Sequence, residues 1–187
     1  MSSSVHLAGW VITSSPLILG MYPSDDKLTR FLDVIGNSEA IAINQKWAGH
    51  PGMFVEEVPG PGQTPLNKLQ LWMKPLGGGG SGAAANSARG AAAAAKDAAS
   101  QGKEASSVQE GKEEAVVVAV FVLNYCAEPQ NYTLQFSKLA SGLSVAGAQA
   151  TAHVRDVWAR TDNGTATGSL ALTLPAYDSA LLTLTMH

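Results

Sequence analysis

The feature that most constrains this chain is the period-two alternation of apolar and polar residues in its C-terminal half. Tyr132-Thr133-Leu134-Gln135-Phe136 alternates strictly, and residues 153–160, 169–174 and 180–185 follow the same rhythm. Successive side chains of a strand point to opposite faces, so each segment reads as a strand with one face buried. Residues 115–124 are Val-rich and almost wholly apolar, as a central strand covered on both faces would be. Asp162-Asn163-Gly164, between two alternating segments, reads as a hairpin turn. Leu69 and Leu71 alternate with polar neighbours up to Trp72, adding a strand before residue 77. Many short strands separated by turn residues define an antiparallel β-sandwich.

Residues 77–114 interrupt this pattern with low complexity: Gly and Ala supply 20 of the 38 residues. Such a segment offers little apolar surface to bury. It is expected to be a disordered loop between two neighbouring strands. The competing reading is a helix over 83–100, with the alanines allowing close approach to the sheet. Setting the insert aside, the region 53–187 retains 97 residues, close to the ~100 of a typical sandwich.

Residues 1–52 differ again. Residues 6–14 read as a helix. Ser15-Pro16-Leu17-Ile18-Leu19-Gly20 is a short apolar run bounded by turn residues, like a buried parallel strand. Ser24 and Asp25 are N-cap candidates, Leu28, Phe31, Leu32 and Ile35 follow at helical spacing, and Gly36-Asn37 ends the helix. Ile41-Ala42-Ile43-Asn44 reads as a second buried strand. Strand, helix and strand of these lengths suggest a βαβ unit.

Composition excludes several function classes. A net charge of −3 and no basic tract interleaved with aromatics leave no footprint for nucleic acid. The longest apolar run, 115–123, is far short of the ~20 residues of a spanning helix, so no membrane partner is expected. The start, Met1-Ser2-Ser3-Ser4-Val5-His6, has no signal-peptide character. Cys126 is the sole cysteine, which leaves no internal disulfide and no Cys-based zinc site. His6, His50, His153 and His187 are scattered without ligand spacing, and no cofactor is expected.

Carboxylates do not assemble into a recognisable acid and base either. Asp25 and Asp26 sit at a helix start, where negative charge favours the macrodipole. Glu56 and Glu57 precede Pro59-Gly60-Pro61-Gly62 and read as an exposed loop, Glu113 and Glu114 end a solvated segment, and Asp156 reads as a structural hydrogen-bond acceptor. Trp72 and Trp158 could stack on sugar rings, but core packing is the plainer role. No catalytic, cofactor-binding or metal residue is assigned.

Several of these segments together resemble glycoside hydrolase family 27, the α-galactosidase family. His6-Leu7-Ala8-Gly9-Trp10 and Ser14-Ser15-Pro16-Leu17-Ile18-Leu19-Gly20 look like the helix into barrel strand seven. Asn37-Ser38-Glu39-Ala40-Ile41-Ala42-Ile43-Asn44-Gln45 looks like the turn into strand eight and that strand's Asn-Gln end, and Trp47-Ala48-Gly49-His50-Pro51-Gly52 resembles the exit segment of one branch. Leu71-Trp72-Met73-Lys74-Pro75-Leu76, Arg155-Asp156-Val157-Trp158 and Pro175-Ala176-Tyr177-Asp178-Ser179-Ala180-Leu181-Leu182 are similar to motifs of the family's C-terminal antiparallel domain. Tyr22-Pro23 stands where the family usually has an acidic residue.

The resemblance implies that residues 1–52 are the last two βα units of a (β/α)₈ barrel and that 53–187 form the C-terminal sandwich. Fifty residues cannot close a barrel of ~250, so exposed barrel strands are expected to favour self-association. The implied chemistry is retaining hydrolysis of terminal α-galactosides by two Asp carboxylates ~5–5.5 Å apart. The nucleophile belongs to a Lys-Tyr-Asp motif, which residues 1–187 lack, and the acid/base follows strand six, whereas the matching segments here start at strand seven. The chain alone is therefore expected to be inactive, and an α-galactoside is its partner only in the full-length context. The alternatives are a non-catalytic β-sandwich module binding carbohydrate or a partner, and a truncated product without function. The family is secreted or vacuolar/lysosomal, and the sequons Asn131-Tyr132-Thr133 and Asn163-Gly164-Thr165 agree with a secretory ancestry.

Overall fold

The alternating segments become strands of two antiparallel sheets. The computed structural model describes residues 3–20, 22, 24–47, 49–63, 65–77, 115–140 and 149–187. Eight strands follow three helices: β1 (Met53–Pro59), β2 (Lys68–Gly77), β3 (Val116–Asn124), β4 (Gln130–Gln135), β5 (Thr151–Asp156), β6 (Thr161–Thr167), β7 (Ser169–Leu174) and β8 (Ser179–Met186). Six of them form one sheet in the order β1-β2-β3-β8-β5-β6, and β4 and β7 pair in a second.

The two sheets enclose the main core. Leu69, Leu71 and Met73 of β2, Val118, Val120 and Val122 of β3, and Leu182, Leu184 and Met186 of β8 meet Leu134, Phe136 and Leu174 from the β4–β7 side. The intervening residues Ala119, Phe121 and Leu123 of β3 and Leu181 of β8 point the other way, into a second core formed with the helices. This explains why the β3 segment lacks alternation: both of its faces are dry. The edge strand β1 carries Glu57, paired with Lys68 at 2.9 Å, and charge on an edge discourages further pairing. Glu56 and Glu57, read from sequence as a loop, thus belong to a strand.

Another correction concerns Asn163-Gly164, which is not the hairpin turn. Residues 157–160 make that turn, with Arg160 at φ 55°, while Asn163 and Gly164 lie inside β6. The register runs from His153↔Thr165 to Arg155↔Asp162, so Val154 faces two residues and Gly164 takes the positive φ of 76° that a bulge needs. Nor do β5 and β7 form a hairpin, since β7 crosses to the other sheet and pairs with β4.

The larger difference is at the N-terminus. Residues 1–52 were read as containing two barrel strands, and the described residues there contain helices only: α1 (Ser3–Ile12), α2 (Asp25–Ile35) and α3 (Ser38–Gln45). Residues 15–20 have no regular secondary structure, and 41–44 lie within α3. A parallel strand gains its hydrogen bonds from neighbours, and among the described residues none pairs with either segment. The same apolar residues suit a helix instead. The Asn37 side chain caps α3 by accepting from the backbone N–H of Glu39 and Ala40 at 3.0 and 3.1 Å, and Ala40, Ile43 and Asn44 bury one face at i, i+3, i+4 spacing.

The low-complexity insert lies outside the described residues from 78 to 114, as do Glu113 and Glu114. Its flanks are strand neighbours, with Pro75 opposite Val118 and Gly77 opposite Val117. Replacing the insert by a four-residue Gly-Ser turn is expected to leave the melting temperature unchanged or slightly raised. By (3/2)RT ln n scaling, closing about 38 rather than about 5 residues costs only ~2 kcal/mol. A large drop with loss of helical circular dichroism would show that the segment belongs to the fold.

Candidate functional site

The junction between α3 and the six-stranded sheet is where polar chemistry is concentrated. Asn37, fully buried, caps α3 with its oxygen and donates its amide to the Val157 carbonyl at 2.8 Å. Two residues on, Glu39 accepts both nitrogens of a bidentate contact from Arg155, Nε at 3.1 Å and Nη2 at 2.7 Å, while Arg155 Nη1 reaches Asp162 at 3.2 Å. This contact holds the Glu39 carboxyl below the ordinary range and raises the Arg155 guanidinium. At the other end of α3 the Lys74 ammonium, buried under the helix, donates to the carbonyls of Ile43 and Asn44. The helix is therefore clamped at both ends, by residues of matching charge for its dipole.

The carboxylates predicted from sequence do not converge. Asp25 and Asp26 lie in the first turn of α2, and the Ser24 hydroxyl lowers Asp26. Burial raises the Glu56 carboxyl, but bonds from Lys138 at 2.6 Å and from the Tyr132 hydroxyl outweigh it, and the group sits below its ordinary value. Burial, and next the bond to Glu56, hold the Tyr132 phenol in its neutral form. Asp156 accepts the Ala159 backbone N–H at 2.9 Å and closes the β5–β6 turn. Glu57, like Glu39, Glu56 and Asp26, is lowered, here by Gln70 and Lys68. None of these shifts is upward, the direction a carboxylic general acid requires. The histidines are equally dispersed: His6, His153 and His187 are exposed, and His50 Nδ1 lies 2.7 Å from the Pro51 carbonyl. No group of three or more His, Cys, Asp or Glu among the described residues is placed to hold a metal.

Two aromatic positions named from sequence take different surroundings. Trp72 packs against the helix-side core, meets Phe54 edge-on at 5.4 Å, and lines an open cleft of about 290 Å³ with His6, Trp10, Gln70 and Tyr125. Trp158 packs on the same core beside α3. Sequence reasoning missed Asn37, Lys74 and Asn124, all buried polar residues. Only Asn37 carried a local signal, an Asn directly before the first turn of a helix.

These features define an antiparallel β-sandwich with helices clamped on its outer face. Residues 106–184 match the family described as the alpha galactosidase C-terminal beta sandwich domain. The chain as a whole corresponds in fold to the C-terminal portion of glycoside hydrolase family 27 proteins. Alpha-galactosidase I from Mortierella vinacea superposes with a TM-score of 0.63 at 21% identity, over 97% of this chain and 34% of that one. The α-galactosidase of Saccharomyces cerevisiae bound to raffinose gives 0.63 at 15% identity, over 98% and 43%. A family 27 β-L-arabinopyranosidase from Geobacillus stearothermophilus gives 0.59 at 17%, over 97% and 29%. At these identities the likeness is one of fold, and the chain spans well under half the length of each of these proteins. No match was found among curated proteins.

Proposed function

We propose that this chain is the C-terminal part of an α-galactosidase-like glycoside hydrolase, with residues 1–52 standing where the end of the catalytic barrel packs against the sandwich. The observation that carries this reading is the family match over residues 106–184. The apolar exposure of the helical segment supports it: Ile18 is 70% exposed, Tyr22 80% and Trp47 62%. An apolar surface of this kind suits burial against a larger body. In that body the family's two Asp carboxylates would perform retaining hydrolysis of a terminal α-galactoside, and residues 1–187 would supply the sandwich and its docking helices. A secreted or vacuolar/lysosomal setting goes with this reading, and both sequon asparagines, Asn131 and Asn163, are exposed.

Purified residues 1–187 are expected to show no turnover of a chromogenic α-galactoside above buffer. Removing members of a catalytic set lowers kcat by several orders of magnitude. Turnover that disappears on mutating one of the chain's own carboxylates would overturn this.

A further inference from the structure

The two sequons lie on a part of the sandwich surface that is poor in charge. β4 and β7 carry no charged residue, and β6 carries only Asp162, which is paired with Arg155. The three strands are continuous: β6 runs into β7 through the single residue Gly168, and β7 pairs with β4. Their wet side is built of short uncharged residues, among them Thr133, Gln135, Thr165 and Thr173. A soluble surface is ordinarily about 25–35% charged. The same strands hold open edges. β6 ends the six-stranded sheet, and β4 and β7 have only each other among the described residues. Open edges are normally guarded by charge, by a bulge or by cover. β1 has Glu57 and β6 has its bulge, whereas β4 and β7 have no charge and pair without a shift of register.

Both motifs are displayed as an acceptor must be. Residues two apart on a strand share a face. Asn131 and Thr133 therefore stand together on the wet face of β4, while Tyr132 between them turns inward. Asn163 and Thr165 are both exposed on either side of Gly164. Each asparagine uses only its side-chain oxygen. Asn131 Oδ1 accepts from the Thr173 hydroxyl at 2.9 Å, and Asn163 Oδ1 accepts from the Thr161 hydroxyl at 3.4 Å. Neither amide nitrogen makes a hydrogen bond among the described residues, so a substituent on Nδ2 displaces no contact.

We propose that Asn131 and Asn163 each carry an N-linked glycan, and that the pair covers this charge-poor band and its open edges. The inference rests on the secretory setting of the reading above. The modifying step joins Nδ2 to the anomeric carbon of an oligosaccharide delivered on a polyprenyl diphosphate. The N–C bond forms as the C–O bond to the diphosphate breaks. The diphosphate leaves with the bonding electron pair, and the amide gives up one proton.

The test expresses the 187-residue chain behind an added cleavable secretion leader in a eukaryotic host. Peptide-N-glycosidase converts each glycosylated asparagine to aspartate, and peptide mass spectrometry locates the change. Conversion at both positions is expected, with two steps of gel mobility on partial digestion. Asn131→Gln and Asn163→Gln should each abolish one step. Thr133→Ala and Thr165→Ala should do the same while leaving the asparagine in place, and Thr133→Ser and Thr165→Ser should retain it. The double variant Asn131→Gln/Asn163→Gln should keep its circular dichroism and precipitate at a severalfold lower concentration than the glycosylated chain. Translation into microsomes gives the same glycan readout without requiring export. Folded chain in which either asparagine stays unconverted would overturn the proposal, as would a double variant as soluble as the glycosylated chain. The leader supplies entry whatever the native address. A missing glycan would thus count against these sites and leave the C-terminal-part reading in place, since that rests on the family match.

Discussion

Replacing Asn124 by alanine is expected to destabilise the chain by about 4 kcal/mol. Asn124 ends β3, is fully buried, and uses its whole amide. Its nitrogen donates to the carbonyls of Pro175 at 2.8 Å, Glu128 at 3.1 Å and Leu174 at 3.2 Å, and its oxygen accepts the Cys126 N–H at 2.8 Å. These contacts join the β3–β4 turn to the β7–β8 connection, which no strand ladder spans. Truncation deletes the bonds and leaves backbone groups unpaired away from water, at ~1–3 kcal/mol for each group so stranded. The melting temperature should fall by about 10 °C, at ~2–4 °C per kcal/mol for a chain of this size. Asn124→Asp should be no better, because it keeps the acceptor for Cys126 but turns a carboxylate oxygen toward three carbonyls. A loss under about 1 kcal/mol in both variants, by urea unfolding, would mean that water replaces these contacts.

Asn124 also illustrates what was and was not legible in the sequence. The strand it ends was plain, because the eight residues Val116–Leu123, with all but Val117 buried, form a run with no polar break. The alternating strands β4 and β5 were plain for the complementary reason, one wetter face and one dry. Short apolar runs do not discriminate in this way. Ile41-Ala42-Ile43-Asn44 satisfies both a buried strand and one face of a helix, and the Asn37 cap and the absence of a strand neighbour decide for the helix. Asn163-Gly164 announced a positive φ correctly, but a bulge uses that conformation as well as a turn does. The polar contacts were beyond reach for a different reason. Asn37 meets Val157 across 120 positions, and Lys74 meets Ile43 across 31. In the alternation of β2, Lys74 falls on the face opposite Leu71 and Met73, where a charge reads as solvated. α3 covers that face, and nothing in residues 68–77 announces it.

Lys74 therefore provides the test of how the helical segment is held. Lys74→Ala is expected to lose about 3 kcal/mol, from two charge-assisted hydrogen bonds to the end of α3 and the cavity left by the stem. Proteolysis within residues 38–47 should accelerate while the sandwich strands remain protected. Lys74→Met separates charge from volume. It fills the space and forfeits the bonds, but also removes an ammonium held out of water with only carbonyl partners, so its loss should be near 1 kcal/mol. The pH dependence distinguishes the two contributions. Burial pushes the Lys74 ammonium below its ordinary value of 10.5. Between that lowered value and 10.5 the unfolded chain binds the extra proton, so the wild-type stability gains a positive slope with pH. Below the lowered value both states are protonated, and the desolvation cost is constant. The stability difference, wild type minus Lys74→Met, should thus rise as the pH is raised toward about 10.5 and be flat at lower pH. A difference that stays flat throughout would mean that water reaches the ammonium and that α3 is held by its apolar face alone.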